Sequence, residues 1–203
     1  MWHLLNGDAM RSILIASVLA TLALTAHAGD DDGQHHRDRH VPKVFDAQGR
    51  EVGPLESDAG QNGVYIEING AITFVPIGRV GTAERASATQ FQWGSDRPIL
   101  IGTVAYPSSD CSGTPVLVYS FGSGTPILLY TSGPRPSIAV RQGADVTVYI
   151  ASDADAGPAS VQSTHQNPNF SECTPYVTTI TAWTVGSSYV ITQHYPEPLT
   201  IHY

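Results

Sequence analysis

From Val41 to Tyr203 the chain alternates short apolar runs with Gly, Pro, Ser, Asp and Asn. No window sustains the apolar period of about 3.6 residues that an amphipathic helix needs. Gly (19) and Pro (14) recur too often for a helix to persist between them. A chain of this texture satisfies its backbone by pairing strands. The expectation is an all-β fold, an antiparallel sandwich or meander of short strands, with little or no helix beyond the N-terminal leader.

The sharpest local signal is Val64 to Val75, VYIEINGAITFV. Asn69-Gly70 suits the positive φ angles of a two-residue type I′ turn. Pairing outward sets Ile68 against Ala71, Ile66 against Thr73 and Val64 against Val75, an apolar face. The other face sets Tyr65 against Phe74 and Glu67 against Ile72. Val44 to Val52 reads as a second hairpin, with Asp46 opening the turn and Gly49 in the left-handed position. In the middle, Ser112–Gly122 (SGTPVLVYSFG) is followed at once by Ser123–Gly133 (SGTPILLYTSG). Each copy reads as a Ser-Gly turn, a Pro-led strand start and an apolar strand ending in Tyr119 or Tyr130. Further strands are expected at Ile99–Tyr106, Ser137–Arg141, Val146–Ala151, Tyr176–Thr184, Ser188–Tyr195 and Leu199–Tyr203.

Residues 1–28 read as a secretory signal peptide: Arg11, an uncharged apolar run from Ile13 to Leu24, and an Ala26-His27-Ala28 cleavage site. Met10 offers an alternative start that would place Asp8 outside the leader. The apolar run is shorter than the roughly 20 residues of a spanning helix, and no later stretch replaces it. The mature chain is therefore expected to begin at Gly29, to carry no membrane span, and to work in the periplasm or outside the cell. Residues 29–40 (GDDDGQHHRDRH) hold no apolar side chain and read as a disordered acidic, His-rich linker. Residues 41–203 then form a single all-β domain. Cys111 and Cys173 stand 62 positions apart and, in an exported chain, are expected to form one disulfide.

The net charge of −8, with Lys43 the sole lysine, argues against a nucleic-acid partner. Asp110-Cys111-Ser112-Gly113 has the look of a serine-protease nucleophile segment, yet no histidine lies between Val41 and Asp110 to act as its base. Ser112 therefore reads as a turn residue, and no catalytic residue or cofactor is assigned. His35, His36 and His40 have metal-ligand chemistry but sit in the linker. Asp153 and Asp155 make half of a calcium loop whose third acid and distal Glu are missing. Trp93 and Trp183 are the candidate stacking surface for a sugar or peptide.

The segment Val44-Phe45-Asp46-Ala47-Gln48-Gly49-Arg50-Glu51-Val52-Gly53, with the later Asp110-Cys111-Ser112-Gly113, resembles uncharacterised exported bacterial all-β proteins. Those share a V-x-D-x-x-G-x-x-V-G hairpin and an Asp-Cys-x-Gly segment, and are similar to modules behind collagen-like or tail-fibre-like stalks. The resemblance spans Val44 to Pro115 and implies an exported all-β module, with homo-oligomerisation as a further implication; it supplies no catalytic residue. This chain has no Gly-x-y stalk. The leading expectation is an exported non-enzymatic interaction or structural module with a protein or glycan partner. One alternative is a small extracellular hydrolase acting on sugars or peptides, which needs a carboxylate pair or a Ser/His/Asp cluster. The other is a small outer-membrane β-barrel, for which the apolar runs are short against the about 9–11 residues of a spanning strand.

Overall fold

The computed structural model describes residues 41–58, 60–81, 85–94, 103–120, 134–166 and 173–203. The first hairpin forms where the sequence places it. Strand β1 (Lys43–Phe45) pairs antiparallel with β2 (Glu51–Pro54), with a register shift between Val44 and Phe45. Asp46 fixes the connecting turn. Its buried carboxylate accepts the N–H groups of Gln48 and Arg50, both at 2.9 Å, and Gly49 takes φ 77°. After Leu55 the same course of chain continues as β3 (Glu56–Asp58), which pairs with β4 (Gln61–Ile68).

Strand β4 pairs with β5 (Ala71–Gly81) in the expected register, Val64 opposite Val75 and Ile68 opposite Ala71. Asn69 (φ 52°) and Gly70 (φ 79°) both occupy the left-handed region, as a type I′ turn demands. Strand β5 is longer than the sequence pattern suggested, because it serves two partners. Residues up to Pro76 pair with β4; from Ile77 it pairs with β6 (Ala86–Trp93). Phe91 of β6 then exchanges both backbone hydrogen bonds with Leu199, at 2.8 and 2.7 Å, at the approach to the last strand. That strand in turn pairs with β1. The antiparallel pairings thus form a circuit that returns to its start, with β2 and β3 as one shared course.

Strands β7 (Thr103–Tyr106) and β8 (Leu117–Ser120) belong to a second, narrower circuit with β11 (Gly157–Gln166) and β12 (Cys173–Trp183), in the order β7-β11-β12-β8. A bridge between Val116 and Ala105 brings β8 back to β7. Its buried cluster holds no aromatic ring and is built from Ala105, Val118, Val161, Ile180 and Ala182. A ring of four strands leaves little room for aromatic side chains.

The third unit is a three-stranded sheet of β9 (Ser137–Gln142), β10 (Asp145–Ala151) and β13 (Val185–Val190), with β10 in the centre. It is covered on both faces. Ala139, Val146, Val148 and Ile150 join the first circuit's cluster with Val44, Val64, Ile66, Val75, Trp93 and Leu199. Val140, with Ile138 and Tyr149 beside it, joins Val104, Tyr106 and Cys111 of the second circuit. Burial on both faces explains why Ile138, Ala139 and Val140 of β9 are apolar in succession rather than alternating. Thr73 of β5 seals the contact with the first circuit, donating to the Arg135 carbonyl at 2.8 Å and lying 2.5 Å from the Ser137 hydroxyl.

The all-β antiparallel class and the Cys111–Cys173 bond are as expected, the latter with Cα atoms 5.7 Å apart. Two local expectations are corrected. Ser188–Tyr195 is not one strand: β13 stops at Val190 and Ile191–His194 forms a single helical turn, α1. The fully buried Ile191 anchors that turn, and Thr192 Oγ1 accepts the Val146 N–H at 3.1 Å. Strand β11 was not anticipated, because its buried positions include Ser163 and Thr164, which give no apolar alternation. Strand β14 (Thr200–His202) follows Pro196-Glu197-Pro198 as expected. Of the repeat, the first copy supplies β8; the second lies outside the described residues, as do residues 1–40.

Candidate functional site

The described residues bring reactive side chains together at the disulfide. Cross-strand register sets His165 of β11 directly opposite Cys173 of β12. Such opposed side chains lie on the same face, with Cβ atoms about 4.5–5.5 Å apart. Cys111 arrives from the loop after β7 with φ 57°, an uncommon conformation for a residue with a Cβ. The Sγ atoms of Cys111 and Cys173 and a ring nitrogen of His165 all lie within 4.8 Å of one another.

A hydroxyl network holds that loop. The Cys111 N–H donates to Ser163 Oγ at 3.0 Å, and the Ser163 hydroxyl donates to the Ser108 carbonyl at 2.6 Å. The Ser108 hydroxyl donates to the Ser112 carbonyl at 2.8 Å and accepts the Ser112 N–H at 3.0 Å. Ser163 is fully buried, so this network pins the loop to β11 through bonds shielded from water.

Beside the disulfide lies a cleft of about 200 Å³ between the second circuit and β9. Val104, Tyr106 and Val140 are its apolar walls, with Gln142 and His165 as the polar side chains beside them. Tyr106 is 2% exposed and meets the His165 ring edge-on at 5.8 Å. Burial, with a smaller contribution from Tyr149, pushes the Tyr106 hydroxyl up to about 12. Arg141 is anchored, its Nη2 donating to Glu197 Oε1 at 2.6 Å and to the Trp93 carbonyl at 3.1 Å.

The other expected site residues are dispersed. Trp93 is 1% exposed, packed in the first circuit, and its indole N–H donates to the Tyr195 carbonyl at 2.9 Å. It therefore offers no face to a ligand, and the stacking expectation is corrected there. Trp183 sits half-buried against Tyr119 of β8, ring centroids 5.0 Å apart. Asp153 pairs with Arg135 at 2.6 Å, and no third His, Cys, Asp or Glu joins it with Asp155 among the described residues. The half calcium loop is thus an exposed bend between β10 and β11. His35, His36 and His40 lie outside the described residues. His194 stacks on Tyr189 at 4.3 Å, and His202 tilts against Phe45 at 5.5 Å. Ser112 donates its hydroxyl to Asp110 Oδ1 at 2.6 Å, and that bond holds the Asp110 carboxyl below its usual value. This is a closed turn, as the sequence implied.

His165 was the residue that spacing could not find. Its neighbour Cys173 follows eight positions later, and only the pairing of β11 with β12 sets them face to face. No known family model matches the chain, and neither a curated protein nor a solved structure matches it.

Proposed function

We propose that this chain is an exported, non-enzymatic binding module of the periplasm or the cell exterior. The observation that supports it is the cleft beside the disulfide, where apolar walls meet the polar side chains of Gln142 and His165. At about 200 Å³ the cleft is smaller than the roughly 300–1,000 Å³ of drug-sized sites. It fits a single protruding group, an amino-acid side chain or one sugar ring of a larger partner. The surface agrees with a module bathed in water. Among the described residues the large exposed hydrophobics are Val41, Tyr65, Ile72, Tyr176, Val177 and Tyr203, few in number and not a band around a barrel.

The leader reading and the resemblance in Val44–Pro115 point to the same class. The test is fractionation of source cells followed by binding. The expected form is a water-soluble, disulfide-closed chain starting at Gly29 that is retained on immobilised glycans or extracellular proteins. Recovery in carbonate-washed outer membrane, or turnover of fluorogenic glycosides or peptides by the purified chain, would overturn the proposal.

A further inference from the structure

We infer that Cys111, Cys173 and His165 form a redox-gated zinc site: a covalent bond when oxidised, a thiolate–imidazole metal centre when reduced. Two sulfurs and one ring nitrogen already lie within 4.8 Å of one another. A tetrahedral zinc site with bonds of about 2.3 Å to sulfur and 2.0 Å to nitrogen sets such atoms about 3.5–3.8 Å apart. Once the S–S bond is broken, rotation about the Cα–Cβ bonds supplies that spacing without moving β11 or β12. Two thiolates and an imidazole select zinc over the oxygen-seeking calcium and magnesium ions.

Two features make the reduced state a receptive one. The backbone around Cys111 is held by Ser108, Ser112 and Ser163 hydrogen bonds that do not involve sulfur. His165 and Cys173 are held by the β11–β12 register. All three ligands therefore keep their places when the covalent link is gone. The cleft also borders Cys111 and His165, leaving room for a water or a partner's donor atom as the fourth ligand.

The redox step balances with a dithiol reductant, such as a thioredoxin-like protein. Its two thiols deliver two electrons and two protons to the Cys111–Cys173 bond and leave as a disulfide. Cys173 is half-buried where Cys111 is 6% exposed, so Cys173 Sγ is the sulfur open to attack. Zinc then displaces the two thiol protons, and its two positive charges are balanced by two thiolates. This chemistry does not depend on which partner the cleft takes.

The test uses the full mature chain, oxidised and dithiothreitol-reduced, desalted without oxygen and titrated with Zn²⁺ against a chromophoric chelator. The linker histidines contribute equally in both states, so the increment on reduction is the readout. One extra equivalent is expected in the reduced chain only, with a sulfur-to-metal charge-transfer band when Co²⁺ replaces Zn²⁺. His165→Ala should weaken that increment by at least about 10-fold, the lower end of what even outer-shell changes cost. Cys173→Ser should abolish it. If reduction loosens the fold, recovery of near-ultraviolet circular dichroism on adding Zn²⁺ supports the site. Equal binding by oxidised and reduced chains, or an unchanged increment in His165→Ala, would overturn it.

Discussion

Replacing one glycine hydrogen by a methyl group should have opposite effects at Gly63 and at Gly53, ten positions earlier. Gly63 of β4 stands opposite Pro76 of β5. A Cβ there would overlap the Val75 carbonyl oxygen, lie 2.6 Å from Phe74 Cζ and 2.9 Å from Pro76 Cα. Two of these three neighbours are backbone of the paired strand, which cannot rotate away. Carbon contacts relax near about 3.5–4.0 Å, so β5 must retreat by roughly 1 Å. Overpacking of this kind costs about 1–3 kcal/mol, and stretching one ladder hydrogen bond adds about 1 kcal/mol. The lower entropy of the unfolded alanine chain offsets about 0.4–1 kcal/mol. The net expectation for Gly63→Ala is a loss of about 1–3.5 kcal/mol. At Gly53 a Cβ meets nothing within 4 Å, and its φ is not positive. Gly53→Ala keeps only the entropy term and should stabilise by about 0.5 kcal/mol. Urea unfolding followed by tryptophan fluorescence measures both, provided the m-value is unchanged. A Gly63→Ala variant within about 0.5 kcal/mol of the parent, or a Gly53→Ala variant less stable than Gly63→Ala, would refute the close approach of β4 to β5.

Three further outcomes are expected. Asp46→Ala should lose about 2 kcal/mol, the worth of its charge-assisted bonds with Arg50's exposed share screened by solvent. Burial raises the Asp46 carboxyl, but hydrogen bonds from Arg50 and Gln48 outweigh it and hold the group below its usual value. Its contribution is therefore present above about pH 4, the unfolded value, and lost as pH falls through the lower folded value. An Asp46→Ala chain with an unchanged acid limb in denaturation against pH would contradict this. Tyr106 is shifted the other way, to about 12, so its stabilisation is complete below about pH 10 and lost as pH rises toward 12. Tyr106→Phe should flatten that alkaline slope, and a slope equal to the parent's would reject the burial argument. Cys111→Ala with Cys173→Ala should cost up to about 4 kcal/mol, from the 62-position loop it reopens in the unfolded chain. Denaturant midpoints of the double variant and the parent, both free of metal, give the number.

Local chemistry made much of this fold legible. Asn69-Gly70 dictated a turn type, and the turn dictated six cross-strand pairs of β4 and β5. Asp46 and Gly49 did the same for the β1–β2 turn. Strand β11 was illegible because its inward positions are small or hydroxylated, chosen by a narrow ring that the linear pattern does not reveal. Trp93 was ambiguous for a related reason: a large aromatic can be a binding platform or a core filler, and only its neighbours decide. The turn at Ile191–His194 escaped because the β-branched run Val190-Ile191-Thr192 reads as strand, and one buried Ile191 is too little to signal a helical turn.

The sequence by itself determined what depends on residues near one another along the chain. Backbone punctuation set the strand class, glycine and asparagine set the turns, and two cysteines in an otherwise cysteine-free chain set the bond. Only the tertiary structure decided which strands serve two partners and how β9–β10–β13 comes to be covered on both faces. It alone decided that His165 stands beside the bond between Cys111 and Cys173. Those outcomes depend on contacts between distant residues, whose energies come from shape and burial rather than from any local preference.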